Sequence, residues 1–295
     1  MTQPRILMCR PSYFGIEYEI NPWMNVHSGA DAVLAVQQWE GLRRLLVDAG
    51  AAIEEVTPIA GLPDLVFTAN AGLVFRERVI VSRFRHAQRQ GEEPHLRNWF
   101  HRHGYTIEAT PDGTYFEGAG DALFCGETLI AGYRIRSDAL GHQRIGARLG
   151  CRVLPVELVN DSFYHLDTCF CPLSPTTAIW YPAALDEYGR RAIAGAVEHL
   201  IEVDDEEARR FACNAVVVGR NVITNTGCDA LAAQLASRGY IHQQTPLGEF
   251  TKAGGSAKCL TLRLDGEDAA VWRVSTMPSS VAAEAPISET RSTTT

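Results

Sequence analysis

Short apolar runs recur along this chain, bounded by polar residues and glycine, and longer amphipathic stretches separate them. Runs of strand length fall at 6–9, 52–56, 72–75, 79–81, 128–131, 178–181, 215–218 and 270–274. Many are rich in the β-branched and aromatic residues that pack well on a pleated surface. The stretch 30–48 has helical spacing instead. Val33, Val36, Trp39 or Glu40, Leu42 or Arg43, and Leu46 recur there, which predicts an apolar inner face and a charged outer one. Several helical stretches end on a glycine and pass at once into a strand: Gly50, Gly104, Gly150 and Gly239. A glycine just past the last helical turn takes the left-handed conformation that stops a helix.

Those glycines stand 54, 46 and 89 residues apart. The last gap spans two periods and holds a further helical stretch at 184–200, followed by a strand-like 201–203. Five units of about 50 residues result, each reading as three strands and a helix in some order. The fold class is therefore α/β with a repeated unit. One domain covers 1–281, and residues 282–295, rich in Ser, Thr, Glu and Ala without pattern, form an expected disordered tail.

The chain has 295 residues and a formal charge of −8. That balance argues against nucleic acid or an anionic membrane as partner, since both require a basic face. A small cationic ligand fits better. No apolar run approaches the roughly 20 residues of a membrane span, and the start has no signal-peptide layout. The eight cysteines show no zinc spacing. Reduced thiols in a cytoplasmic protein are expected.

Candidate chemistry follows the repeat. Asp64 lies 14 residues after Gly50, Glu117 13 after Gly104, His165 15 after Gly150 and Cys259 20 after Gly239. Reactive residues thus occupy similar places in successive units and converge if the units surround an axis. A cysteine alone is usually a small buried hydrophobe. Cys259, however, follows Gly254-Gly255 at the entry to a strand-like 259–264, where a thiol can reach a ligand. His165 and Asp167 share a face if their segment is a strand, and the other eight histidines read as surface residues. Glu117-Gly118-Ala119-Gly120-Asp121 suits a tight turn close to a ligand. Asp64 and Asn70 read equally as turn residues around a strand. Thiol, imidazole and carboxylate are the parts of a nucleophilic cysteine enzyme.

The stretch from Pro63 to Asn70, the Glu117–Asp121 motif, His165-Leu166-Asp167 and Gly254-Gly255…Cys259 together resemble the guanidine-modifying superfamily, the penteins. The resemblance covers about 5–274. It implies a five-fold pseudosymmetric α/β propeller of repeated ββαβ units, with no metal and no cofactor. It also implies that Cys259 attacks a guanidinium carbon, that His165 protonates the departing amine and then activates water, and that Glu117 and Asp167 hold the guanidinium. Asp64, Asp121, Asn70 and Asn21 fall in its substrate-binding motifs. Arg136 resembles the arginine that takes the substrate α-carboxylate, and Arg83 is a second candidate.

Within the superfamily, Asn70 stands where deiminases carry aspartate, and Asp167 is a residue that dimethylarginine hydrolases usually lack. Together with the 18–24 segment, these are similar to arginine dihydrolases, which convert arginine to ornithine, ammonia and carbon dioxide. An amide both donates and accepts hydrogen bonds, so it suits a neutral ureido intermediate. Dimethylarginine hydrolase, arginine deiminase and a non-catalytic guanidino binder remain the alternatives, and a homo-oligomer is left open. The chain ends soon after Cys259, so no second enzyme domain is expected to follow.

Overall fold

A computed structural model of the chain describes residues 3–273, and the tail expected at 282–295 lies outside the described residues. β1 (Arg5–Cys9) and β2 (Ala52–Val56) pair in parallel, joined through the helix Ala32–Asp48. The next unit sets β3 (Gly72–Phe75) antiparallel to β4 (Arg78–Val81). β4 pairs in parallel with β5 (Thr106–Ala109) after the helix Glu93–Arg102. The same plan gives β6 (Ala122–Cys125), β7 (Thr128–Tyr133) and β8 (Arg152–Glu157) around the helix Ala139–Leu149. It gives β9 (Phe170–Ser174), β10 (Thr177–Trp180) and β11 (His199–Glu202) around Glu187–Ala196. It gives β12 (Val216–Val218), β13 (Asn221–Asn225) and β14 (Ile241–Thr245) around Asp229–Ser237. β15 (Leu262–Arg263) then lies antiparallel to β1, with Leu7 opposite Leu262.

Five three-stranded sheets result, and the fifth draws strands from both ends of the described chain. A tight turn suffices between antiparallel strands, whereas a parallel pair requires a crossover. The ββαβ order follows from that. β3, β6 and β12 are buried along their whole length, while β5 and β14 keep exposed or half-buried positions. The first strand of a unit is thus the inner one. Gly50, Gly104, Gly150 and Gly239 all have positive φ, as helix stops require.

Four expectations change. The helix Ala32–Asp48 buries Ala35, Trp39, Leu42 and Leu46, whereas Val33 is 69% and Val36 39% exposed. Trp39, the largest apolar group, sets the stripe, and positions at three and four residues from it follow. Only Leu262–Arg263 of 259–264 is strand, so Cys259 sits in a turn. The run 270–273 forms a short 3-10 turn, Val271–Arg273, rather than a strand, and position 274 lies outside the described residues. His142 is wholly buried, with Nε2 2.7 Å from the Gly132 carbonyl, so it is not a surface residue.

Candidate active site

The reactive residues sit in the turns that lead into the first strand of each unit. Asp64 and Asn70 lie in the 3-10 turns Pro63–Val66 and Thr68–Ala71 before β3. Glu117 immediately precedes Gly118–Gly120, the turn before β6. His165 precedes Leu166–Thr168 before β9, and Cys259 lies in the turn before β15. His165 and Asp167 are therefore on a 3-10 turn and not on one strand face. The turns meet closely. A Cβ at Gly118 would stand 2.9 Å from the Ala69 carbonyl oxygen, and one at Gly120 2.2 Å from Asn70 Nδ2. The Glu-Gly-x-Gly-Asp glycines are there to admit that approach.

Glu117 is wholly buried and multiply bonded. Its Oε2 lies 2.7 Å from His165 Nε2 and accepts from Arg136 Nη1 at 3.0 Å, while Oε1 accepts from the Arg85 backbone N–H at 3.2 Å. Burial alone would raise its pKa. The Arg136 charge and the His165 hydrogen bond overcome that and hold the carboxyl well below its usual range. Burial dominates at His165 and lowers its pKa to about 4, so the imidazole is neutral near pH 7. With Nε2–H donated to the carboxylate, Nδ1 is left without a protein partner.

Cys259 is 2% exposed. Its thiol donates to Asp167 Oδ2 at 3.4 Å, and its sulfur accepts from Asn214 Nδ2 at 3.1 Å. Burial, then the Asp167 charge, push the thiol pKa well up. Burial also raises Asp167 to about 7, against the opposing charge of Lys258. Lys258 itself reaches away to Glu267, 2.5 Å from Nζ.

A narrow cavity of about 10 Å³ opens on Cys259 and is also lined by Asn21, Asp64, Asn70 and Arg136. Ile20 and Met24, from the N-terminal segment, complete one wall. Asn21 donates to the Ala253 carbonyl at 3.0 Å. Glu117, His165 and Asp167 do not line the cavity; they stand directly behind Arg136 and Cys259. Asp64 is buried, its pKa raised by burial against the pull of Arg89, and its Oδ1 has no partner.

Two expected residues lie elsewhere. Arg83 is exposed in a separate cleft with Gln90, Glu93 and Tyr115, because β4 ends before it and carries it outward. Asp121 is buried away from the cavity. It accepts from Ser137 Oγ at 2.6 Å and from the Leu166 N–H at 3.1 Å, which braces the His165 turn. Arg136 is in the site, but its Nη1 is on Glu117 and its Nη2 on the Ile20 carbonyl at 2.9 Å.

Three contributors escaped the sequence reading. Arg89 lines the cavity and donates to Asn70 Oδ1 at 2.9 Å, its charge balanced by Glu92 at 2.8 Å. Tyr164 donates to the Gly254 carbonyl and lies under the Arg136 guanidinium, 4.5 Å away. Asn214 stands before β12 and bonds the Cys259 turn. Asn70 Nδ2 donates to the Glu117 carbonyl, so its carbonyl and one amide N–H already have protein partners.

Residues 10–264 match the family model of eukaryotic N,N-dimethylarginine dimethylhydrolase. The bifunctional arginine dihydrolase/ornithine cyclodeaminase AgrE of Nostoc sp. is 48% identical over 267 residues, covering 88% of this chain and 38% of that protein. ArgZ of Synechocystis sp., described in the same words, is 47% identical over 266 residues, 88% of this chain and 37% of its own length. The chain thus spans just over a third of the first curated relatives it matches. The N(G),N(G)-dimethylarginine dimethylaminohydrolase of Mycobacterium tuberculosis is 37% identical over 260 residues, 88% of this chain and 85% of that protein. Among solved structures, the N-terminal domain of ArgZ, as a cysteine-to-serine variant bound to substrate, superposes with a TM-score of 0.87 at 45% identity. It covers 90% of this chain and 99% of that one.

Proposed function

The chain belongs to the N,N-dimethylarginine dimethylhydrolase family, and from that premise we propose that it is a guanidine hydrolase acting on L-arginine through a covalent intermediate on Cys259. The product set we assign is that of an arginine dihydrolase: arginine and two waters give ornithine, two ammonia and carbon dioxide. The reading rests above all on one observation, a buried thiol between Asp167 and Asn214 at a cavity backed by the Glu117–His165 pair.

A guanidinium entering that cavity brings a permanent positive charge to carboxylates that burial leaves undercompensated. The same charge lowers the thiol pKa, so the nucleophile forms when substrate is present. The thiol proton passes to His165, whose free Nδ1 is the nitrogen available to carry it, and Glu117 stabilises the resulting imidazolium. Cys259 Sγ attacks the guanidinium carbon. The C–N bond breaks, the amine leaves with the proton from His165, and a thiouronium remains. Water, deprotonated by His165, then attacks the same carbon and releases the thiol and citrulline. A second attack expels a second ammonia, and water cleaves the thiocarbamate to a carbamate, which falls apart to ornithine and carbon dioxide. Asp64, Asn21, Arg89 and Arg136 line the cavity in positions suited to the amino-acid end of the substrate.

The five sheets, with β15 closing onto β1, support a five-fold propeller arrangement. Eight free cysteines suit a reducing, cytoplasmic setting. One observation favours a second reading, dimethylarginine hydrolysis: the family model that matches 10–264 is that of dimethylarginine dimethylhydrolase, and the mycobacterial enzyme is 37% identical. Incubation with arginine and with dimethylarginine, with amino acids resolved by chromatography, separates the two. Ornithine from arginine is expected. Citrulline that accumulates without ornithine overturns the dihydrolase assignment, and dimethylamine released in preference to ammonia supports the second reading.

A further inference from the structure

Asn214 is wholly buried, two residues before β12, and its side-chain amide is saturated. Oδ1 accepts from the backbone N–H groups of Ser256 and Cys259, both at 3.1 Å. Nδ2 donates to the Asp167 carbonyl at 3.0 Å and to Cys259 Sγ at 3.1 Å. An amide offers two donors and two acceptor sites, and all four are engaged. The orientation is forced. Turning the amide over would set its NH2 against two N–H donors and its oxygen against a carbonyl oxygen. The donor that points at sulfur therefore cannot rotate away without breaking three other bonds.

We propose that Asn214 is a catalytic residue: it fixes the rotamer of Cys259 and stabilises the developing thiolate through its amide N–H. The inference rests on the reading of Cys259 as nucleophile, and it assigns the fourth unit its part in the site. The groups facing the sulfur otherwise pull in different directions. Asp167 and Tyr164 face the sulfur, Asp64 opposes thiolate across the cavity, and Arg136 and Arg89 favour it there, with Lys258 behind Asp167. Against the adjacent carboxylate, a fixed neutral donor at 3.1 Å favours the anion without adding a charge that would compete for the substrate guanidinium.

The test is the pH dependence of iodoacetamide alkylation of Cys259, which reads the thiol without substrate. Asn214→Leu keeps the volume and adds no charge. Alkylation near neutral pH is expected to slow about 10–100-fold, the loss of one hydrogen bond to a charged group, with the midpoint moved up. A midpoint unchanged from wild type overturns the proposal. Should Asn214→Leu not fold, the side-chain amide 15N resonance of Asn214 in the wild-type protein carries the test. It is expected to titrate with the alkylation midpoint and to stop doing so in Cys259→Ala; a resonance that ignores the thiol's ionisation overturns the proposal equally. Failure here leaves the arginine reading intact, whereas absent arginine turnover with a shifted alkylation midpoint overturns that reading and keeps this one.

Discussion

Replacing Glu117 by Gln isolates the electrostatic core of the site. The carboxylate holds Arg136 at 3.0 Å and His165 at 2.7 Å, and all three side chains are essentially inaccessible. With His165 neutral, the substitution leaves the Arg136 guanidinium as an unpaired buried charge. An ion pair about 4 Å between charge centres is worth about 4 kcal/mol at an effective dielectric constant of about 20. Breaking a buried pair from one side costs about 3–5 kcal/mol by experience. At about 2–4 °C per kcal/mol, the melting temperature should fall by roughly 6–20 °C. Arg136→Met is expected to cost less, because His165 can take up a proton beside the orphaned carboxylate. That raised imidazole pKa adds stability which is full at low pH and is lost as pH rises through it. The double variant should cost about 2 kcal/mol or more less than the sum of the singles. Calorimetric melts of the four proteins complete the cycle. Additive losses, or a Glu117→Gln variant as stable as wild type, would refute the pairing as the origin of the depressed Glu117 pKa.

Two further substitutions test the remaining parts. Asn70→Asp gives up the bond to the Glu117 carbonyl and becomes an ion-pair partner of Arg89. It is expected to shift the citrulline-to-ornithine ratio toward citrulline by about tenfold, roughly one hydrogen bond, and an unchanged ratio by chromatography removes Asn70 from the second attack. Asp167 titrates near 7 when folded and near 3.9 when unfolded. The folded state therefore keeps a proton that the unfolded state releases. Its stabilising contribution is full below about pH 4 and disappears as pH rises through about 7, on the order of 4 kcal/mol in all. Urea melts from pH 4 to 7 should show wild type losing stability relative to Asp167→Asn, and a constant difference would sink the assignment.

The repeat and the reactive set were legible because a helix-stopping glycine followed by a strand is a local signal, and it recurs with a period. What failed was local in a different way. A period of two placed His165 and Asp167 on one strand face, but 3-10 turns before the inner strands point them to different partners, Glu117 and Cys259. Alternation also suggested a strand starting at Cys259, although only Leu262–Arg263 pairs with β1. Arg89 and Glu92 stand three residues apart, and nothing local says that the short helix Ala87–Gln90 and the turn after it set this pair inward. Arg83 carried the right charge two residues past β4 but faces out.

Asn214 shows how the missing contributor was recoverable. Asn70 stands two residues before β3 and Asn214 two residues before β12, so the turn position is the same in the first and fourth of the units that begin with their own strand pair. Counting from helix-ending glycines skipped that unit, because the 89-residue gap has no glycine stop in its middle: the helix Glu187–Ala196 ends on Val197 in extended conformation. Counting back from the inner strands instead reaches Asn70, Glu117, His165, Asn214 and Cys259 in turn. Both asparagines do the same kind of work. Each ties pre-strand turns together, Asn70 joining its own turn to Glu117 and Asn214 joining its own to those of Asp167 and Cys259. A neutral amide can tie these turns together without adding to the charge there, and the carboxylates are left for a cation.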